Sequence, residues 1–149
     1  MLARAVAAFV ALPGVVAFAV PLVIATQAQR PVQHPATALI ALSLGTLLLL
    51  WCVREFYVTG RGTLAPWDPP QRLVTTGPYR LSRNPMYLGV LAILAGWCLL
   101  RGSRALLYYA LGTLCVFYLR VRLAEEPWAA ARFGAEWQVY RARVPRWLI

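Results

Sequence analysis

Three short clusters in this 149-residue chain carry groups able to do chemistry. Residues 73–79 read LVTTGPY, residues 83–87 read RNPMY, and Glu125 and Glu126 stand side by side. The chain has only five acidic residues, so an adjacent pair beside an apolar run calls for a reason. Ionisable groups next to a membrane span are costly unless they face protein or a cavity. A carboxylate pair facing an arginine, an amide and two tyrosine hydroxyls could clamp a polar ligand. A ligand with an ammonium group and sugar hydroxyls would suit it. The carboxylates would take the cation or diol, the amide and arginine would take a carboxylate, and an apolar wall would take a flat base.

Each cluster also has a plainer reading. Gly77-Pro78 and the threonine pair before it are ordinary loop punctuation. Asn84 before Pro85 reads as an N-cap with proline at the first helical position. Arg83 and Tyr87 then serve as interfacial anchors. Glu125-Glu126 before Pro127 reads as a helix start, where acid meets the positive end of the dipole. Arg122 and Glu126 would add an i,i+4 pair. Both readings stay open at the level of single clusters.

The elements that must position these groups are apolar. Hydrophobic residues make up 60 % of the chain and charged residues 13 %, with a mean hydropathy of +0.60. Soluble domains are nearer half apolar and a quarter charged. The chain reads as one integral membrane domain, residues 1–149. Four apolar runs, at about residues 5–25, 36–56, 85–100 and 105–119, are candidate spans; about 20 residues cross a bilayer. Residues 1–58 hold two N-terminal spans, and residues 59–149 hold the site. The first run has no A-x-A-like cleavage site, so it reads as a span rather than a signal peptide, kinked by Pro13 and Pro21. RGSR alone separates the third and fourth runs, which predicts a tight helical hairpin. The loop between the second and third spans is rich in Gly, Pro and Thr, so it is neither span nor regular helix. Cys52, Cys98 and Cys115 lie in apolar runs with no CxxC or Cys/His pairing, so neither a disulfide nor a metal site is expected.

All fifteen basic residues are arginine, and they ring the apolar runs without forming a stripe. That argues for an anionic membrane surface and against nucleic acid. Twelve fall on one side of the four-span arrangement; only Arg30, Arg101 and Arg104 fall on the other. The positive-inside rule then puts both termini, the central loop and the C-terminal tail in the cytoplasm. In the tail, Phe133, Trp137, Tyr140 and Val144 recur at helical spacing, with Arg132, Glu136 and Arg143 on another face. This predicts an amphipathic helix over the cytoplasmic end of the bundle. The expected fold is all-α: about four transmembrane helices, the last two a hairpin, plus that helix.

LVTTGPYRLSRNPMYLG, followed by EEPWAAARFGAEWQVYRARVPRWL, resembles the isoprenylcysteine carboxyl methyltransferase family and the related phospholipid methyltransferases. The family pattern is L-V-T-x-G-x-Y, then R-H-P-x-Y-x-G, then E-E with F-G-x-x-Y-x-x-Y and V-P-R. The match covers residues 73–147; the first two spans carry no diagnostic residue. The resemblance implies S-adenosylmethionine as methyl donor and a lipophilic or lipid acceptor (carboxylate, thiol or amine) in a multi-pass protein of a bacterial cytoplasmic membrane. It implies that Leu73, Val74, Tyr79, Asn84, Pro85, Met86 and Tyr87 wall the cofactor. Glu125 would hold the cofactor's polar end, with Glu126 in support and Arg122 orienting an anionic acceptor. No metal is implied. Three positions depart from the pattern: Asn84 replaces the histidine, Trp137 replaces a tail tyrosine, and Val121 stands where the eukaryotic enzymes have a substrate-contacting arginine. An amide at Asn84 can donate a hydrogen bond but cannot titrate. Gly60-Arg61-Gly62 has neither a third glycine nor a strand, so no Rossmann domain is expected. A non-catalytic membrane protein, such as a transporter subunit or assembly factor, is the alternative. The absence of inverted repeats argues against a transporter.

Overall fold

The structure is a computed structural model that describes residues 7, 9–28, 31–63 and 69–148. Arg4 and Arg30 of the orientation argument, and residues 64–68 of the central loop, lie outside the described residues. Regular structure among the described residues is entirely helical. A π-helical stretch, Val10–Ala19, runs into α1, Val20–Gln27. Next come α2, Pro35–Val58, and, after the loop, a 3-10 turn, Gly77–Arg80. Then follow α3, Pro85–Arg101, and α4, Arg104–Arg120. A second π-helical stretch, Val121–Glu125, leads into α5, Glu126–Arg143.

The described residues of the four expected apolar runs are all helical, but the helices differ in length. Among the described residues, Pro35–Val58 and the helical stretch Arg104–Arg143, kinked at Gly134, are long and apolar enough to cross a membrane. Ala11–Gln27 and Pro85–Arg101 are apolar but shorter. At about 1.5 Å per residue α3 is about 25 Å long, under the roughly 30 Å of a hydrocarbon core. The outward face of α2 is apolar: Leu39, Ile40, Leu44 and Leu47 are 59–63 % exposed. That surface suits lipid rather than water.

Proline chemistry explains how the first helix is tied in. Pro21 has no N–H to give to the carbonyls four and five residues back, Ala17 and Val16. Side chains from other helices take both: Trp97 Nε1 donates to Ala17 O at 3.1 Å and Tyr109 OH to Val16 O at 3.0 Å. The π winding is seen at Val20, whose N–H bonds to Val15 O, five residues back. Proline thus leaves a docked helix as well as an altered winding.

The most extensive helix pairing is α2 with α3, not the hairpin expected of the last two spans. Glycine is the reason: a Cβ on Gly45 would lie 2.7 Å from Gly89 O, so any larger residue would push the backbones apart. The core around this crossing is Ala17, Leu49, Val90, Ile93 and Leu94. The α3–α4 hairpin does form, and its loop is shorter than RGSR, because Arg101 and Arg104 belong to the helices. Gly102 closes α3 in the left-handed region at φ 56°, and its N–H bonds to Cys98 O at 2.7 Å.

The tail folds back over the central loop. Gly134 (φ 50°, ψ −118°) breaks α5 into two pieces. Trp137, Tyr140 and Val144 then turn inward with Phe133 and pack on Leu73, while Arg132, Glu136 and Arg143 stay exposed. Tyr140 OH donates to Tyr79 O at 2.8 Å, and Arg83 N–H to Pro145 O at 2.9 Å. Loop and tail are one packed layer across one end of the bundle.

Candidate active site

Between that layer and the helix ends lies a cavity of about 580 Å³. The loop contributes Leu73, Val74 and Tyr79; the start of α3 contributes Asn84, Met86 and Tyr87; the α4–α5 junction contributes Glu125 and Glu126. Trp137 and Tyr140 come from the tail. Pro85 is buried at the first turn of α3 and does not line the cavity. The N-terminal half, which carries no motif, nevertheless supplies Leu12, Pro13, Val16 and Phe56. With Val116 and Phe117 of α4 these residues add apolar lining to the cavity.

Asn84 stands at the N-cap position of α3 but makes no capping bond. Its Nδ2 instead donates to Arg146 O at 2.9 Å, while its own N–H bonds to Ser82 Oγ at 3.1 Å. The side chain that reads as a cap therefore fastens the tail to the start of α3. The helix-start reading of the glutamate pair also gives way, because α4 continues into α5 through Val121–Glu125 without a new N-terminus. π winding brings residues five apart onto one face. Arg120 Nε consequently meets Glu125 Oε1 at 2.7 Å. The expected Arg122–Glu126 pair does not form: Arg122 donates to Tyr118 OH at 3.0 Å and lies outside the cavity, whereas Arg120 lines it.

The two glutamates do different jobs. Tyr87 OH and Arg120 both bond to Oε1 of Glu125, and Oε2 has no partner among the described residues. Glu126 is enclosed. Arg146 holds both its oxygens at 2.9 and 2.7 Å, and Arg83 Nη1 approaches at 2.9 Å. Burial works against the charge on Glu126, but the Arg146 hydrogen bonds and the Arg83 charge outweigh it and hold the carboxyl below its ordinary range. Burial likewise pulls Arg83 below the usual arginine value, with Glu126 opposing. It pushes the Tyr79 and Tyr140 hydroxyls up, so both remain neutral donors.

Three residues take part beyond the wall and clamp residues that the resemblance implies. Arg83 reads as an anchor, yet its side chain is 8 % exposed, pairs with Glu126 and lies 5.5 Å from the Trp137 ring centre. Its Nε and Trp137 Nε1 are buried without an acceptor among the described residues, and both residues line the cavity. Arg146 sits in the V-P-R motif and binds Glu126 across 20 positions. Glu55 is the third. Buried near the end of α2, it accepts from Trp51 and Arg54 on one oxygen and from Thr59 and Thr76 on the other, Thr76 at 2.5 Å. A carboxylate inside an apolar run was the available signal.

A sequence model of the phospholipid methyltransferase family matches residues 33–136. The chain belongs to that family. It is therefore an S-adenosylmethionine-dependent membrane methyltransferase acting on lipid-type acceptors, and the non-catalytic alternative falls away. No curated protein and no solved structure matches the chain. The matched stretch runs from α2 into α5, so it includes the loop, the start of α3 and both glutamates. The cavity's features fit the methyltransferase's cofactor. Its volume is within the about 300–1,000 Å³ of small-molecule sites. Glu125 offers a free carboxylate oxygen, and Arg83 and Trp137 offer buried donors without acceptors.

Proposed function

We propose that this cavity binds S-adenosylmethionine and that methyl transfer takes place there, at the cytoplasmic face, to a lipophilic acceptor arriving from the bilayer. The observation that carries the reading is the cavity's mixed lining. Charged and donor groups from the loop–tail layer and the α4–α5 junction line it together with apolar Leu12, Val16, Val116 and Phe117. Bound S-adenosylmethionine supplies an electrophilic methyl group on a sulfonium. Glu125 Oε2 takes the cofactor's ammonium or ribose hydroxyls, with Oε1 held in place by Tyr87 and Arg120. Arg83 Nε and Trp137 Nε1 take its carboxylate. Leu73, Val74 and Met86 pack on the base, and Tyr79 and Asn84 hold loop and tail closed over it. Glu126 fixes Arg83 and Arg146 rather than touching ligand.

Alignment of nucleophile, methyl and leaving sulfur is the main task of such a site. A carboxylate or thiolate acceptor needs no general base, whereas an amine must first lose a proton. We assign the orientation of an anionic acceptor to Arg120 in place of Arg122, because Arg120 lines the cavity. The resemblance to the isoprenylcysteine carboxyl methyltransferases supports the carboxylate class, and the family match supports a lipid. The arginine asymmetry supports a cytoplasmic loop and tail.

The test is methyl transfer from labelled S-adenosylmethionine to a native lipid extract by the purified protein. Label in the organic phase, lost in Glu125→Gln, is the expected result. Label that remains entirely in the aqueous phase would exclude a lipophilic acceptor.

A further inference from the structure

Outside the cavity wall, a second pocket of about 340 Å³ lies between the π-helical junction and the tail. Arg122, Arg141 and Arg146 line it, and Glu126 is its only acid among the described residues. Both oxygens of Glu126 are already taken by Arg146, with Arg83 approaching from behind. Arg141 forms no ion pair among the described residues, and Arg122 reaches only the Tyr118 hydroxyl. Among the described residues the pocket thus gathers three guanidinium groups and one carboxylate, an excess of two positive charges. Like charges gathered this way repel unless an anion joins them. Guanidinium forks match phosphate oxygens in pairs.

We propose that this pocket binds a phosphate group, and that its source is an anionic lipid headgroup. The surroundings favour the lipid over a free ion. Leu119 and Leu123, which flank Arg122 along the helix, are 53 and 71 % exposed, and Trp128 beyond them is exposed too. An acyl chain can lie on that apolar strip while the phosphate sits among the arginines, as in other basic pockets at the cytoplasmic ends of membrane helices. The pocket shares Glu126 and Trp137 with the cavity, so an occupant would brace the cavity's outer wall.

The experiment is a calorimetric titration of the detergent-solubilised full chain with dihexanoylphosphatidylglycerol, dihexanoylphosphatidylcholine and inorganic phosphate. The expected order is phosphatidylglycerol tightest, with affinity at least tenfold weaker in Arg122→Gln/Arg141→Gln. Arg143→Gln, an exposed change outside the pocket, should leave that affinity intact. Both changed residues are exposed, and an unchanged unfolding midpoint verifies that the double variant is folded. Inorganic phosphate binding as tightly as phosphatidylglycerol, with the same loss in the double variant, would keep the phosphate site and assign it to the free ion. Unchanged affinity in the double variant, or equal binding of the zwitterionic phosphatidylcholine, would overturn the proposal.

Discussion

Glu55 and Glu125 flank the same layer of loop and tail, yet their surroundings are opposite. An ionised carboxylate has about four acceptor sites. Glu55 uses four, two on each oxygen, and is 6 % exposed. Glu125 receives both of its bonds on one oxygen and leaves the other free at the cavity. A saturated carboxylate stabilises the fold, whereas one with an open oxygen is available to a ligand. On the proposed reading, the contrast separates a carboxylate that shapes the loop from one that would hold the cofactor.

The largest effect is expected at Glu55. Glu55→Ala removes the acceptor shared by Trp51, Arg54, Thr59 and Thr76 and leaves the two half-buried threonine hydroxyls only each other at 3.3 Å. Hydrogen bonds to a charged group are worth about 1.5–3 kcal/mol each. A stability loss of about 3 kcal/mol should appear in denaturant unfolding in detergent. A loss under about 1 kcal/mol would break the comparison, because Glu55 would then carry little of the loop.

Glu126 should behave like Glu55 at a smaller scale. Glu126→Gln weakens charge-assisted bonds worth about 1.5–3 kcal/mol, and the loss should register as stability. Its pH dependence follows from the lowered carboxyl. The stabilisation is fully present above the ordinary glutamate value of 4.5 and is lost as pH falls from there through the lower folded-state value. An unfolding midpoint that declines over this acid window in the wild type, and less in Glu126→Gln, is the expected pattern.

Trp137→Phe sharpens the binding side. It keeps the ring over Arg83 and removes one unpaired donor, so cofactor affinity should fall by about 0.5–1.5 kcal/mol, up to roughly tenfold. No loss would take the indole out of the site. Glu136→Gln, on the exposed face of the tail, should change stability by less than about 0.5 kcal/mol and affinity not at all.

The helices were legible because apolar runs and proline and glycine punctuation mark their ends. Pro85 and Gly102 delimit α3 one residue beyond the expected end. The convergence of loop, α3 start and glutamate pair was legible through the arginine asymmetry, which puts loop and tail on one face, and through motif order. Details set by long-range packing were not. Asn84 looks like a cap because Pro85 follows it; its actual partner is 62 positions away. Arg122 looks like the partner of Glu126 at α-helical spacing, and only the π winding of Val121–Glu125 gives Arg120 the cavity position instead. The apolar lining from Leu12 and Val16 has no local signal, since residues facing a ligand and residues facing lipid are equally greasy.

The central claim is that Glu125 binds the cofactor through its free oxygen. Calorimetric titration of S-adenosylmethionine into the wild type and Glu125→Gln in detergent tests it most directly. The account predicts micromolar binding to the wild type, roughly −8 kcal/mol at 1 μM. Glu125→Gln should bind about ten- to hundredfold more weakly, the equivalent of a lost charge-assisted hydrogen bond, with its unfolding midpoint nearly unchanged. Wild-type affinity in a well-folded Glu125→Gln protein would contradict the account.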